Sequence, residues 1–442
     1  MKNTVQNVLF WSIISAAFIG PGTVTTASKA GAGFGLSLLW ALLFSTFATI
    51  ILQEAAARIT IASGKNLGEI IALKHQKSDG QFLKWSVFFA VAFGCAAYQA
   101  GNILGAIAGV SLFAPLSPLW MTIIIGVLCA AILWKGNMKA IARLLGFIVA
   151  AMGFAFILVA LQTDISATNL IKNMVVPQMP EGSSLLIIGL IGTTIVPYNL
   201  FLASGISRGQ QIDEMRKGIG LAVLIGGIIS MAIMIAGTQV VGEFSFNALA
   251  ATLTSGLGKG GAVFLGLGLF AAGLSSSITA PLAAAITAQS LFRPSSAEST
   301  SDLVSQEWAS DSRNFRMVWG VVLFIGIGFG IAEVKPVPAI ILAQAINGAL
   351  LPVVTIFLIL VVNDPSVLPK KYLNSHLLNV LMLLITGITV FLGMNNFLTA
   401  ISNFFPAISG IQIELAAATA LLLIGLLSWK IWKPFEQKKV KS

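Results

Sequence analysis

Gly20-Pro21-Gly22-Thr23 and Thr193-Thr194-Ile195-Val196-Pro197-Tyr198-Asn199 interrupt two long apolar runs, one beginning near Val8 and the other near Leu185. Proline has no amide N–H and its ring blocks the carbonyl four residues back, so each break leaves main-chain groups unpaired. Lipid cannot satisfy such groups, and they survive only inside protein or along a wet cavity. Paired interruptions in two halves of a membrane protein mark a solute site between broken helices.

The rest of the chain fits that reading. Its 442 residues are 57% hydrophobic and only 10% charged, against about 25% charged in soluble proteins. The expectation is an all-α polytopic membrane protein with about 12 transmembrane helices. The apolar runs place spans at about 5–30 (broken), 35–62, 82–110, 117–134, 138–162, 184–208 (broken), 217–242, 260–292, 314–332, 337–362, 374–394 and 411–432. No small-residue cleavage site follows Met1-Lys2-Asn3, so the first run is expected to stay as a helix. Cys95 and Cys129 both lie in apolar runs and read as buried thiols.

The net charge of +10 is not spread evenly. With the N-terminus inside, all 26 lysines and arginines except Lys29, Lys172, Lys259 and Lys335 fall on inner segments. That asymmetry predicts both termini in the cytoplasm and an even number of spans. It argues for topology and a lipid partner, not for nucleic acid. The tail Lys438-Lys439-Val440-Lys441 reads as a juxtamembrane anchor. A Ser-rich stretch at about 293–313 reads as a cytoplasmic loop, and Asn395–Pro406 as an outer interfacial or re-entrant piece.

No linker divides the chain, so residues 1–442 read as a single transmembrane domain. The breaks fall in spans one and six. Five spans separate them, and an odd offset inverts the second unit relative to the first. An inverted five-plus-five repeat follows, with repeat one at about 5–162, repeat two at about 184–362 and accessory helices at about 374–432.

Further motifs carry a family resemblance. Ile51-Leu52-Gln53-Glu54-Ala55-Ala56-Ala57-Arg58, followed by Ala62-Ser63-Gly64-Lys65-Asn66-Leu67, resembles the second helix and first inner loop of NRAMP-type (natural-resistance-associated macrophage protein type) transporters. Gly266–Thr279 resembles the family's eighth helix, Gln344 a glutamine on its tenth, and Pro197 and Asn199 its sixth. The resemblance covers about residues 8–362 and implies two inverted repeats working by alternating access.

The family's functional side chains are not kept. Its first break resembles Asp-Pro-Gly-Asn, whose aspartate and asparagine hold metal; here those positions are Gly20 and Thr23. In its second break, the ligating alanine carbonyl, the methionine and the histidine correspond to Thr193, Val196 and Tyr198. The two acids tied to proton movement on its third helix correspond to Gln99 and Asn102. The resemblance thus implies a divergent branch with no assignable metal ligands. A dehydrated divalent ion needs anionic ligands, and selection of Mn or Fe draws on soft sulfur. The candidate substrate-contacting set is Gly20, Thr23, Thr193, Thr194, Val196, Tyr198, Asn199, Gln344 and Asn347.

Each candidate has a structural alternative. Thr193 and Thr194 can bond back to their own helix. Tyr198 can be a gate or a packed aromatic. Gln344 and Asn347, three apart on one face, can bond between helices. Ser275, Ser276, Ser277 and Thr279 read as helix packing before a sodium site, and Glu54 as an ion pair with Arg58. No P-loop, metal cluster or nucleophile constellation is present, so neither an enzyme nor an ATP-driven pump is expected, and no cofactor.

Three readings remain open. The first is an NRAMP-related transporter of a divalent cation, hard and partly hydrated such as Mg, without conventional proton coupling. The second is the same scaffold moving an anion or small polar solute, with sodium as a coupling ion. The third is a non-transporting membrane sensor. The expected location is the plasma (inner) membrane.

Overall fold

The computed structural model describes residues 19–74, 78–135, 139–292, 311–402 and 410–439. The first half of span one, most of the Ser-rich loop, the residues from Asn403 to Ser409 and the last three residues lie outside these.

Among the described residues the chain is helical throughout. The helices are α1 (Pro21–Phe34), α2 (Leu39–Ser63), α3 (Leu67–Lys74), α4 (Ser78–Ser111), α5 (Pro118–Lys135), α6 (Lys139–Leu161), α7 (Ala167–Val175) and α8 (Ser184–Thr194). They continue with α9 (Pro197–Ile206), α10 (Ile212–Gly237), α11 (Phe246–Leu257), α12 (Gly261–Phe292), α13 (Arg313–Ile331), α14 (Pro336–Val361), α15 (His376–Ser402) and α16 (Gln412–Lys439). Eleven spans among the described residues are long and apolar enough to cross a membrane, with α8 and α9 together forming one. α1 is the described part of the expected first span.

The spans fall close to the expected positions, with instructive departures. α10 starts at Ile212, five residues before the expectation, because Asp213 and Glu214 suit a helix N-terminus. α15 runs on to Ser402 and absorbs most of the stretch read as interfacial or re-entrant. The Thr399 hydroxyl bonds back to the Asn395 carbonyl at 2.8 Å, which keeps those polar residues compatible with a helix. α3, α7 and α11 have no counterpart among the expected spans. Each is too short to cross a bilayer. All three are capped locally: Asn66 and Glu69 exchange bonds at 2.8 and 2.9 Å to start α3, Ser166 caps α7 and Ser245 caps α11.

Lipid gives helices no hydrophobic reason to associate, so close backbone contact must do it, and small residues permit that contact. A Cβ on Gly192 of α8 would stand 2.1 Å from the Gln344 carbonyl oxygen of α14, and one on Gly348 would stand 2.4 Å from the Ile188 oxygen. Gly109 and Gly273 play the same part between α4 and α12, which share the most extensive helix contact. Large apolar side chains point the other way. Phe147, Phe154, Val127 and Phe324 are exposed on α6, α5 and α13, where they face lipid.

One end of the bundle gathers the charges. Arg58, buried near the end of α2, bonds Glu54 at 3.1 Å, the Asn374 side chain at 2.6 Å and the Tyr372 carbonyl. Glu54 also pairs with Arg216 of α10 at 2.9 Å, so the expected Glu54–Arg58 pair is one arm of a larger network. Arg208 pairs with Glu69 and Lys74 with Asp364. Burial, and then the neighbouring Lys430, hold the Lys74 ammonium below the usual lysine range.

Gly192→Leu should lower stability by about 3 kcal/mol through forced separation of α8 and α14. Gly220→Leu, where a Cβ meets nothing within 4 Å, should change it little. Thermal unfolding of the two purified variants is the check.

Candidate functional site

The second break is short. α8 ends at Thr194, Ile195 and Val196 leave helical geometry, and Pro197 opens α9. A continuous helix would pair the Gly192 carbonyl with residue 196 and the Thr194 carbonyl with residue 198. Here other helices take over those acceptors. The Tyr98 hydroxyl of α4 donates to the Gly192 carbonyl at 2.6 Å, whereas the Thr49 hydroxyl of α2 donates back to the Ser45 carbonyl at 2.7 Å and only reaches the Thr194 carbonyl at 3.3 Å. Tyr98 also meets Tyr198 edge-on, with ring centroids 5.7 Å apart.

The first break reaches the second directly. Gly20 is the extended N-cap of α1, and its carbonyl accepts from Val24 N–H at 3.2 Å. Thr23, in the first turn, shares a 2.9 Å hydrogen bond between its hydroxyl and that of Thr193. Both residues are buried. Gln344 lies against the same turn: its Nε2 stands 2.1 Å from where a Cβ on Gly22 would be. A side chain at that position would have to displace the Gln344 amide.

The remaining candidates divide. Asn199 is fully buried in the first turn of α9, and neither its Oδ1 nor its Nδ2 has a hydrogen-bond partner in the protein. Val196 is buried and caps α9 without a polar side chain. The Thr194 hydroxyl bonds back to Leu190 at 3.0 Å, the structural alternative. Asn347 clamps α14 to α4 through Gly94 at 3.0 Å, while its Oδ1 is buried without a protein partner. Thr279 bonds back to Ser275.

Gln99 and Asn102 form a separate locus. The Gln99 amide donates to the Ser277 carbonyl at 3.1 Å. Pro281 sits four residues beyond Ser277 inside α12, so that carbonyl has no helical donor. Gln99 supplies the missing bond. Gln99 Oε1, Asn102 Nδ2 and the Ser277 hydroxyl are buried without protein partners. Among the described residues no cluster of three His, Cys, Asp or Glu side chains could hold a metal ion.

Sequence reasoning missed Tyr98, Thr49 and Thr26. Thr26, one turn beyond Gly22, is buried beside Gly189 with an unpartnered hydroxyl. A signal existed for Tyr98, since tyrosine occurs only three times in the chain and a buried hydroxyl needs an acceptor.

The sequence pattern of the natural resistance-associated macrophage protein-like (Nramp) family matches residues 12–399. The chain belongs to the Nramp family. It is 26% identical over 300 residues to the divalent metal cation transporter MntH of Klebsiella pneumoniae, covering 64% of this chain and 71% of that one. To the Yersinia pestis MntH it is 28% identical over 302 residues, covering 64% and 72%. Among solved structures it resembles the Eremococcus coleocola manganese transporter in complex with an aromatic bis-isothiourea substituted compound. The TM-score is 0.71 at 17% identity, over 97% of this chain and 94% of that one. A nucleobase-cation-symport-1 family transporter in a closed conformation matches with TM-score 0.55 at 16% identity, over 96% and 92%. These structural likenesses show the fold. The Nramp fold accounts for the α-helical bundle, the broken helices and the paired repeats.

If the two hydroxyls hold the breaks together, their energies are coupled. A double-mutant cycle of Thr23→Val and Thr193→Val should give a coupling of about 1 kcal/mol in unfolding free energy. Additive effects would mean that the contact contributes nothing.

Proposed function

We propose that this chain is a secondary transporter working by alternating access, and that it moves a divalent cation, hard and partly hydrated such as Mg, rather than Mn or Fe. Family membership and the naming of its MntH relatives as divalent metal cation transporters support the class of cargo. The observation that carries the choice of cation is the chemistry at the two breaks. Thr23, Thr193, Asn199 and Gln344 offer hydroxyls and amides, Gly20 offers no side chain, and Val196 offers no sulfur. Magnesium gives up water reluctantly and is held largely through its hydration shell. Neutral hydroxyls and amides can hydrogen-bond that shell without a carboxylate. Soft-metal selection has no ligand here.

Gln99 and Asn102 support the absence of conventional proton coupling. Neither side chain ionises, and Gln99 is committed to the Ser277 carbonyl. The proposal places the charged end of the bundle in the cytoplasm, with both termini on that side of a plasma membrane. It treats residues 1–442 as one transport domain in which the site roles of Thr23, Thr193, Asn199 and Gln344 follow from position at the breaks.

Proteoliposome uptake tests this. Magnesium should accumulate down its gradient at the same rate with or without a pH gradient, and Mn should compete weakly. A rate that follows the pH gradient would sink the uncoupled reading. Failure of every divalent ion to move would favour an anion, a polar solute or a sensor role. The double change Gly20→Asp and Val196→Met should create Mn binding that calorimetry detects, by restoring one carboxylate and one thioether at the breaks.

A further inference from the structure

Both helices that start at the breaks start bare. α1 has Gly20 as its N-cap and α9 has Val196, neither cap donates or accepts through a side chain, and neither first turn carries an acid. The early N–H groups of a helix lack intrahelical partners, and the aligned peptide dipoles place about half a positive charge at that end. Pro21, Gly22 and Thr23, and Pro197, Tyr198 and Asn199, are all buried. The Thr23–Thr193 bond brings α1 against the last turn of α8, just ahead of the break that leads into α9. The space between the two helix starts is therefore electropositive, and neither first turn carries a carboxylate to oppose it. A divalent cation entering alone would meet an unfavourable field.

Two buried amides give an independent indication of what the pocket takes. Gln344, 1% exposed, lies against the first turn of α1, and its Oε1 has no partner in the protein. Asn199, in the first turn of α9, has both Oδ1 and Nδ2 unpartnered. An amide presents an acceptor and a donor. A bare cation would engage only the oxygens, and a bare anion only the N–H groups. A cation and an anion bound side by side engage both.

We infer that the pocket between the breaks binds a small anion, a halide or the carboxylate of a small acid, beside the transported cation. The anion stands where Gly20 supplies no charge: the main-chain N–H groups of Gly22 and Tyr198 and the amide of Asn199 face it, and the amide oxygens face the cation or its water. The inference rests on the cation-transport reading for the partner of the anion, but the anion site is measurable without any metal.

The test uses the full chain in lipid nanodiscs with divalent metal chelated. Sodium chloride and, in a separate arm, sodium acetate replace sodium gluconate at constant ionic strength, with binding of labelled chloride or acetate and thermal unfolding as readouts. Saturable binding and stabilisation are expected in one or both arms, and the arm identifies the class of anion. Gly20→Asp should weaken anion binding by roughly tenfold by placing a fixed charge at the cap of α1. A Cβ there meets nothing closer than 3.4 Å and the φ of −89° is ordinary, so the change is accommodated. Asn199→Asp, similar in shape, should act in the same direction and serves if the first variant fails to fold. No saturable binding of either anion, or wild-type binding in both variants, overturns the inference. Magnesium uptake by proteoliposomes separates the two proposals. Uptake indifferent to chloride and acetate removes the pairing, whereas anion binding with no cation movement removes the transport reading and leaves the anion site.

Discussion

An unpaired main-chain carbonyl in an apolar interior costs several kcal/mol, and this fold is organised around removing that cost at two prolines. Pro197 comes with a break that releases the Gly192 and Thr194 carbonyls; Tyr98 takes up the first, and Thr49, whose shorter bond runs back to Ser45, reaches the second at 3.3 Å. Pro281 releases the Ser277 carbonyl, and Gln99 takes it up. The donors come from α2 and α4. Those two helices are thereby fixed against the interrupted ones, and the site inherits its geometry from bonds that exist to repair backbone.

Such repairs work only if helices approach closely. Glycine at 192, 348, 109 and 273 allows it, because each faces a neighbouring backbone at a distance no side chain could share. The polar interior and the glycine-rich interfaces are thus one design. Close backbones let short side chains such as Thr23 and Thr193 reach each other across two broken helices without ionic help.

Much of this was readable from residue types alone. The spans followed from apolar runs, and the breaks from Pro21 and Pro197, because proline's missing N–H acts locally. The short helices α3, α7 and α11 were not readable, since bilayer length was the criterion and they fall below it. Asn395 to Ser402 misled because asparagine and threonine look like a loop, although Thr399 satisfies itself within the helix. At the site, the positions of the two breaks were legible but the partners were not. Thr193 and Thr194 are adjacent and chemically alike, yet one bonds across to α1 and the other back to Leu190. Only the packing of α1 against α8 decides between them. That the Ser277 carbonyl is orphaned could have been anticipated from the four-residue spacing to Pro281, but not that Gln99 supplies its donor.

The buried guanidinium of Arg58 has a bearing on the two helices that follow the repeats. Besides Glu54, its contacts are the Tyr372 carbonyl and the Asn374 amide, in the segment just ahead of α15, and Asn374 is in turn bonded to Asn379 at 2.9 Å. A chain shortened to its ten repeat helices would leave a cation in the interior with half of its acceptors gone. The segment ahead of α15, and through Asn379 α15 itself, is therefore a structural member of the bundle rather than a dispensable appendage.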